Sequence, residues 1–297
     1  MLYVDHILCL TLSAPAARRQ AAHLAQHLGA TLHVLPHPQS QWHSGSTAAQ
    51  NEWEPRKGRL RSEERETTPT TTTEPPPDTM AGVLEYATAK NIDLVVADTP
   101  PDRGPVPPLA ADTTQPLLQH LNCPIFTVGH REDPRTIHDL LVPTDLSEHS
   151  LRAFRHAVCL ARLYDAAVHV LHVIDSLPYV ALTPTDRLSL GPTPLSEHRG
   201  QRQLQAFLGE EDTADVPIHP HLAYGDPANQ IAHAANQNDT DLMVLSSHGG
   251  GRSPHVALGK VTESVLGRTT CPLFLLPAFG TSLLAPPTSS GTGAPAP

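Results

Sequence analysis

Aromatic residues are scarce, with five Phe, five Tyr and two Trp in 297 residues, so any core must be assembled from Leu, Val, Ile and Ala. Cysteine is sparse too. Cys9, Cys123, Cys159 and Cys271 form no C-x-x-C pair and each lies in an apolar stretch, which argues against a metal or redox motif and for small buried side chains. Reduced thiols suit a cytoplasmic setting. No apolar run approaches the roughly 18 residues a membrane span needs. Met1 to Ser13 carries Asp5 and His6 where a signal peptide needs positive charge followed by a longer apolar run. A soluble, cytoplasmic chain without a membrane partner is expected. Basic clusters are also lacking: the formal charge is −10, and the stretch Arg56 to Arg65 is broken by Glu63 and Glu64. Most non-specific affinity for nucleic acid comes from Lys and Arg neutralising phosphates, so such a partner is not expected.

What the chain does have is length for two domains and a repeat. Asp93-Leu-Val-Val-Ala is followed by Cys123-Pro-Ile-Phe, and Asp241-Leu-Met-Val-Leu by Cys271-Pro-Leu-Phe; Asp and Cys are 30 residues apart in both. Upstream, Asp5-His-Ile-Leu is echoed by Asp139-Leu-Leu-Val, and His33-Val-Leu by His169-Val-Leu. Four landmarks in the same order indicate a duplicated domain, residues 1–130 and 137–278.

Each copy reads as strand, helix, strand, helix, strand, loop, helix, strand. In the second copy Leu140 to Thr144 is a short apolar run. Ser147 can cap the next helix, whose Leu151, Phe154, Val158 and Ala161 step by three or four along one face. Ala167 to Ile174, Asp241 to Ser246 and Pro272 to Leu276 read as strands, and Asp226-Pro227 as a helix start. Ala17, Ala21, Leu24 and Leu28 line the first helix of copy one. Strands apolar on both faces that alternate with helices imply a parallel sheet covered on each side, a doubly wound α/β fold. About residues 38–79, rich in Thr, Pro and charge, cannot bury enough apolar surface to offset their ordering entropy, so disorder is expected there and in a flexible tail, 280–297.

In doubly wound sheets ligands bind at the carboxyl ends of strands, where the strand order reverses. Pro143-Thr144-Asp145 and Ser246-Ser-His248-Gly249-Gly-Gly251 end there. Glycines let a backbone approach a phosphate, amides near Gly259 and Lys260 can donate to it, and Asp145 can accept from a ribose hydroxyl or an adenine amine. At these residues the chain resembles the universal stress protein family. The likeness rests on Leu-Val-Pro-Thr-Asp145-Leu-Ser, His172-Val173-Ile-Asp175, Gly225-Asp-Pro-Ala, Ser-His248-Gly249, Gly259 with Thr262-Glu263 after it, and Cys271-Pro. It covers residues 137–277 closely and 3–130 faintly.

The resemblance implies open five-stranded parallel sheets with helices on both faces, of the adenine nucleotide alpha hydrolase-like kind. It implies ATP, with Mg²⁺, on the second domain at Pro143, Thr144, Asp145, Val173, Ser246, His248, Gly249, Gly259, Lys260 and Val261. Nucleotide-binding members read Gly, two residues, Gly, nine residues, Gly, then Ser or Thr. Here the spacing holds as Ser246, Gly249, Gly259, Lys260. A side chain stands where close approach is wanted, and a cation replaces a hydroxyl. A ligand-free structural or partner-binding stress protein is therefore the alternative.

Counting back 148 residues turns Gly249 into Pro101, Gly259 into Ala111 and Lys260 into Asp112, and counting back 134 turns Asp145 into Thr11. Proline donates no amide hydrogen and Asp repels phosphate, so the first copy is read as structural or interactive. The resemblance implies that the last strands pair, so Ile125–Val128 and Phe274–Leu276 are expected to pair within the chain as a pseudo-dimer, hiding two sheet edges; further homodimerisation and protein partners stay open.

Three other readings fall away. A Walker loop fails because Pro254 stands five before Gly259 and Val261 follows Lys260. Nineteen histidines suggest metal, but His169 and His172 point to opposite faces of a strand, and His219 and His221 lack a third ligand nearby in sequence. Ser246 and Ser247 lack the glycine-flanked setting of a nucleophile elbow, so no catalysis is expected.

Overall fold

The computed structural model describes residues 2–11, 15–36, 71–72, 79–98, 117–118, 120–121, 123–128, 137–175, 194–237, 240–250, 258–269, 271–278 and 282–284. The first half contributes β1 (His6–Thr11), α1 (Pro15–Leu28), β2 (Thr31–Pro36), β3 (Thr71–Thr72), α2 (Met80–Ala89), β4 (Leu94–Asp98) and β5 (Ile125–Val128). The second contributes β6 (Asp139–Thr144), α3 (Glu148–Tyr164), β7 (Ala167–Ile174), α4 (Pro194–Leu208), β8 (Ile218–Tyr224), α5 (Pro227–Gln237), β9 (Leu242–Ser246), α6 (Lys260–Leu266) and β10 (Leu273–Leu276).

All ten strands join one sheet in the order β3-β2-β1-β4-β5-β10-β9-β6-β7-β8. Each half is five parallel strands, and the two meet antiparallel at Phe274↔Phe126 and Leu275↔Ile125. The intramolecular pair is thus formed by the strands the sequence pointed to. Thr127 stitches the seam, its Oγ1 accepting from the Leu273 amide at 2.8 Å. One apolar layer, with α1, α3 and α4, covers one face from Ala17 and Leu24 through Phe126 and Phe274 to Phe154 and Phe207. The other face holds Val83, Ile125, Ile231, Val265 and Leu273 under α2, α5 and α6. Among the described residues no helix is long and apolar enough to cross a membrane.

The repeated aspartates have a structural cause. Asp93 Oδ2 accepts the amides of Asp5 and His6 at 2.9 and 3.0 Å, and Asp241 Oδ2 accepts those of His138 and Asp139 at 2.7 and 3.0 Å. Each ties the start of its domain's first strand to the strand beside it. The equivalence also corrects the sequence alignment by one residue. Asp139 stands where His6 stands, not Asp5, and Thr144 (7% exposed) matches Thr11 (6%). Asp145 then corresponds to Leu12, which, like Pro101, Ala111 and Asp112, lies outside the described residues. A single-residue slip swaps the faces of a strand, so burial decides the matter where letter similarity did not.

The second copy contains a helix and a strand that the linear reading passed over, α4 and β8. β8 is the sheet's outer edge, where Pro220 costs no ladder bond with a second neighbour. Its mixed, histidine-rich sequence hides it from a pattern search.

Two expectations of looseness need correction. Thr71 and Thr72 pair with Leu32 and His33 as a short edge strand, and Thr79 caps α2 by accepting the Gly82 amide. Near the other end Leu283 is 1% exposed. Its carbonyl accepts the Tyr3 amide at 2.7 Å, and Leu284 bridges Leu2. The rest of both segments lies outside the described residues.

Candidate functional site

β6 and β9 are neighbours, yet the chain leaves them in opposite directions: β6 runs on through α3 to β7, and β9 through α6 to β10. This is a switch point, and the strand ends there open into a cavity of about 830 Å³. Pro143, Thr144, Asp145, Val173, Ser246, His248, Gly249, Gly259, Lys260 and Val261 all line it. Residues up to 118 apart in sequence are brought to one cavity by the parallel register of three strands and the α6 entry. Sequence reasoning missed the wall formed by Pro227 and Ile231 of α5, and Asp175, a second carboxylate on the lining.

Local hydrogen bonding explains why the loops hold their shape. Ser147 caps α3 by accepting the Ser150 amide, and donates its amide (3.1 Å) and hydroxyl (2.5 Å) to Asp145 Oδ1. Thr144 Oγ1 accepts the Leu146 amide at 2.9 Å and shares a hydrogen bond of 2.9 Å with Ser150 Oγ. Asp145 Oδ2 reaches across to the other loop and accepts the Gly250 amide at 2.7 Å. Burial alone would raise the Asp145 carboxyl; the bonds from Ser147 and Gly250 outweigh it and hold the group below the usual carboxylate range.

The second loop is braced from behind. Ser247 is buried; its amide donates to Leu276 O at 2.7 Å and its Oγ accepts the Ala278 amide at 2.8 Å. The same hydroxyl lies 3.0 Å from His248 Nδ1 and can donate to it, which leaves the hydrogen on Nε2. His172 Nδ1 donates to Thr144 O at 2.9 Å.

One expected phosphate donor and a neighbouring loop amide are otherwise engaged. The Gly259 amide donates to Ser247 O at 2.7 Å, and the His248 amide to Ser246 Oγ at 3.4 Å, so the serine in place of a glycine caps its own loop. Gly249 has a steric reason to lack a side chain: a Cβ there would collide with Asp145 Oδ2. Gly249→Ala is expected to break the Asp145–Gly250 contact and lower stability by about 1–3 kcal/mol. Urea unfolding checks this, and an unchanged midpoint would show that the loop simply gives way.

Two doubly wound α/β halves fused through their last strands, with a cavity at the second switch point, define the class of protein: a tandem doubly wound α/β protein with one continuous sheet. The chain belongs to the universal stress protein family, whose model matches residues 5–129 and again 136–277. A universal stress protein of Methanocaldococcus jannaschii is 32% identical over 137 residues, covering 46% of this chain and 80% of that one. A functionally unknown Pseudomonas aeruginosa protein superposes over 92% of both chains with a TM-score of 0.63 at 19% identity. A universal stress protein of Archaeoglobus fulgidus covers 92% of this chain and 98% of its own, with a TM-score of 0.58 at 14% identity. The last two likenesses establish the two-domain fold alone.

Proposed function

We propose that the chain is a stress-response module whose second domain binds ATP or a related adenine nucleotide and whose first domain and paired seam supply scaffold and contacts. The observation that carries this reading is the convergence of all ten residues named above on one cavity large enough for a mononucleotide. Lys260 gives that cavity a cation for a phosphate chain, and Asp145 and Asp175 give it acceptors at the strand ends. Mg²⁺ would enter with the triphosphate, since oxygen-rich phosphates supply most of its ligands.

The role is binding rather than turnover. Asp145 is held in its ionised form by three donors, so it is poorly suited to take and return a proton near neutral pH. Titration calorimetry with ATP and Mg²⁺ is expected to show one saturable site per chain. Lys260→Ala should weaken it by about fivefold to tenfold, the worth of one partly solvated charge contact. Phosphate release should not exceed background. Turnover that disappears in Asp145→Ala would make the protein a hydrolase instead.

A second reading has its own support. The Gly250 and Gly259 amides are satisfied within the protein, as a ligand-free partner-binding module would have them. No heat up to about millimolar nucleotide would favour it.

A further inference from the structure

On the outer strands of the second domain, upstream on each strand of the carboxyl ends that open into the cavity, Asp139, His169, His219 and His221 form a row across β6, β7 and β8. We infer that this row is a proton-responsive clasp, fastening edge strand β8 near neutral pH and loosening it in acid. His169 Nε2 lies 3.0 Å from Asp139 Oδ1, and His169 Nδ1 lies 3.0 Å from His221 Nε2. The His169 and His221 rings are 5.2 Å apart between centroids and tilted by only 19°. At that nitrogen separation the rings meet nearly edge to edge in one plane, which is hydrogen-bond geometry. His219, in register with His169, stacks at 5.0 Å.

Counting hydrogens shows what the row tolerates. A carboxylate only accepts, so His169 Nε2 carries a hydrogen, and the His169–His221 contact needs one hydrogen between its two nitrogens. Neutral rings satisfy both demands. One added proton still does, because the imidazolium can face Asp139 while His221 turns its free lone pair inward. A second proton leaves two N–H groups nose to nose, with His219 beside them. The His221 pKa is pushed down, by burial first and then by His169 and His219. Since the folded state resists protonating His221 while the unfolded chain does not, stability is lost as pH falls below the ordinary histidine value.

Among the described residues the charges facing the row are few. Asp241, tied to the start of β6, is turned to the His138 and Asp139 amides. α5, packed on β7 and β8, contains no Asp, Glu, Lys or Arg, and its His233 is exposed.

The first domain holds a matching but covered contact. His6, the counterpart of Asp139, meets His33 at 3.2 Å, and His33 Nδ1 meets Tyr86 of α2 at 2.8 Å. There His33 is buried, whereas His219 and His221 are exposed. Among the described residues no three His, Cys, Asp or Glu are arranged to hold a metal ion, and the ring nitrogens here point at one another. Among the described residues β8 has a single neighbouring strand and contains Pro220, so side-chain contacts matter more to its attachment than for an inner strand. It leads through Gly225 and Asp226 to α5, which walls the cavity.

Amide hydrogen exchange on the full chain tests the clasp. Between about pH 7.5 and about pH 5.5, protection factors in residues 218–224 should fall about tenfold more than those of β6. Asp139→Asn keeps the shape but removes the anion, so loosening should begin at higher pH. A double variant, His169→Gln with His221→Gln, should lose the pH dependence. Parallel loss in β8 and β6 of the unaltered chain, or an Asp139→Asn profile identical to it, overturns the inference. Neither result depends on whether the cavity binds a nucleotide.

Discussion

Phe274→Ala is expected to destabilise both halves of the chain together, by about 3–5 kcal/mol. Phe274 is 1% exposed and meets Phe126 edge-on at 5.8 Å across the antiparallel seam. Its truncation removes transfer energy and opens a void in an apolar layer that runs unbroken from α1 to α4. The halves share more than this layer. Gln20 of α1 donates to Tyr164 of α3 at 2.5 Å, and His23 stacks on the same ring at 5.6 Å. A cavity at the seam therefore removes support from both sides. Urea unfolding followed by hydrogen exchange in each half measures it. Two separated transitions in the unaltered chain, or a loss in the variant confined to one half, would show that the domains are merely tethered.

The seam was expected because the family resemblance implies that the last strands pair, and both strands follow a Cys-Pro landmark and are apolar but for Thr127. β7 was legible to its last residue because its apolar run is interrupted only by His169 and His172, and α3 because its apolar residues recur at helical spacing behind a capping serine. Features that depend on a second segment were not. β8 reads as loop because its hydrophobic alternation is broken by Pro220 and two histidines, and only the edge position makes those residues acceptable. The third histidine beside His219 and His221 lies on a neighbouring strand, so a search along the chain could not find it. Ser246 could be seen to replace a glycine, but that its hydroxyl turns onto the His248 amide is a matter of loop geometry. The two loops of the cavity were foreseen because parallel strands bring their carboxyl ends together wherever the order reverses, and the full set of lining residues because the family resemblance implies it. Asp175 and Pro227 stand in stretches that carry the family likeness, but that they and Ile231 wall the cavity becomes visible only once the helix is laid against the sheet.

Besides the row on β8, the acid limb of stability should carry the signature of a buried histidine, His156. It is fully buried on α3, its Nδ1 donating to Arg152 O at 2.7 Å and its Nε2 accepting the Leu283 amide at 3.3 Å. Both nitrogens are satisfied only in the neutral ring. Burial pushes the pKa down to about 4 from 6.5, with the Arg152 charge adding to it and the bond to Arg152 O opposing. The unfolded chain takes up a proton near pH 6.5 and the folded chain only near pH 4, so stability is fully present above the first value. It falls through the window between them by about 3 kcal/mol. Protonation also removes the acceptor for Leu283, whose carbonyl holds the Tyr3 amide, so the C-terminal strap should leave the first domain's entry strand at the same time. His156→Leu gives up the two hydrogen bonds and starts less stable at neutral pH, but it has no proton to gain. The stability difference between the two proteins should therefore shrink as the solution is acidified. A difference constant to within about 0.5 kcal/mol from pH 7 to pH 4 would mean that the buried ring never titrates in folding and that acid acts elsewhere.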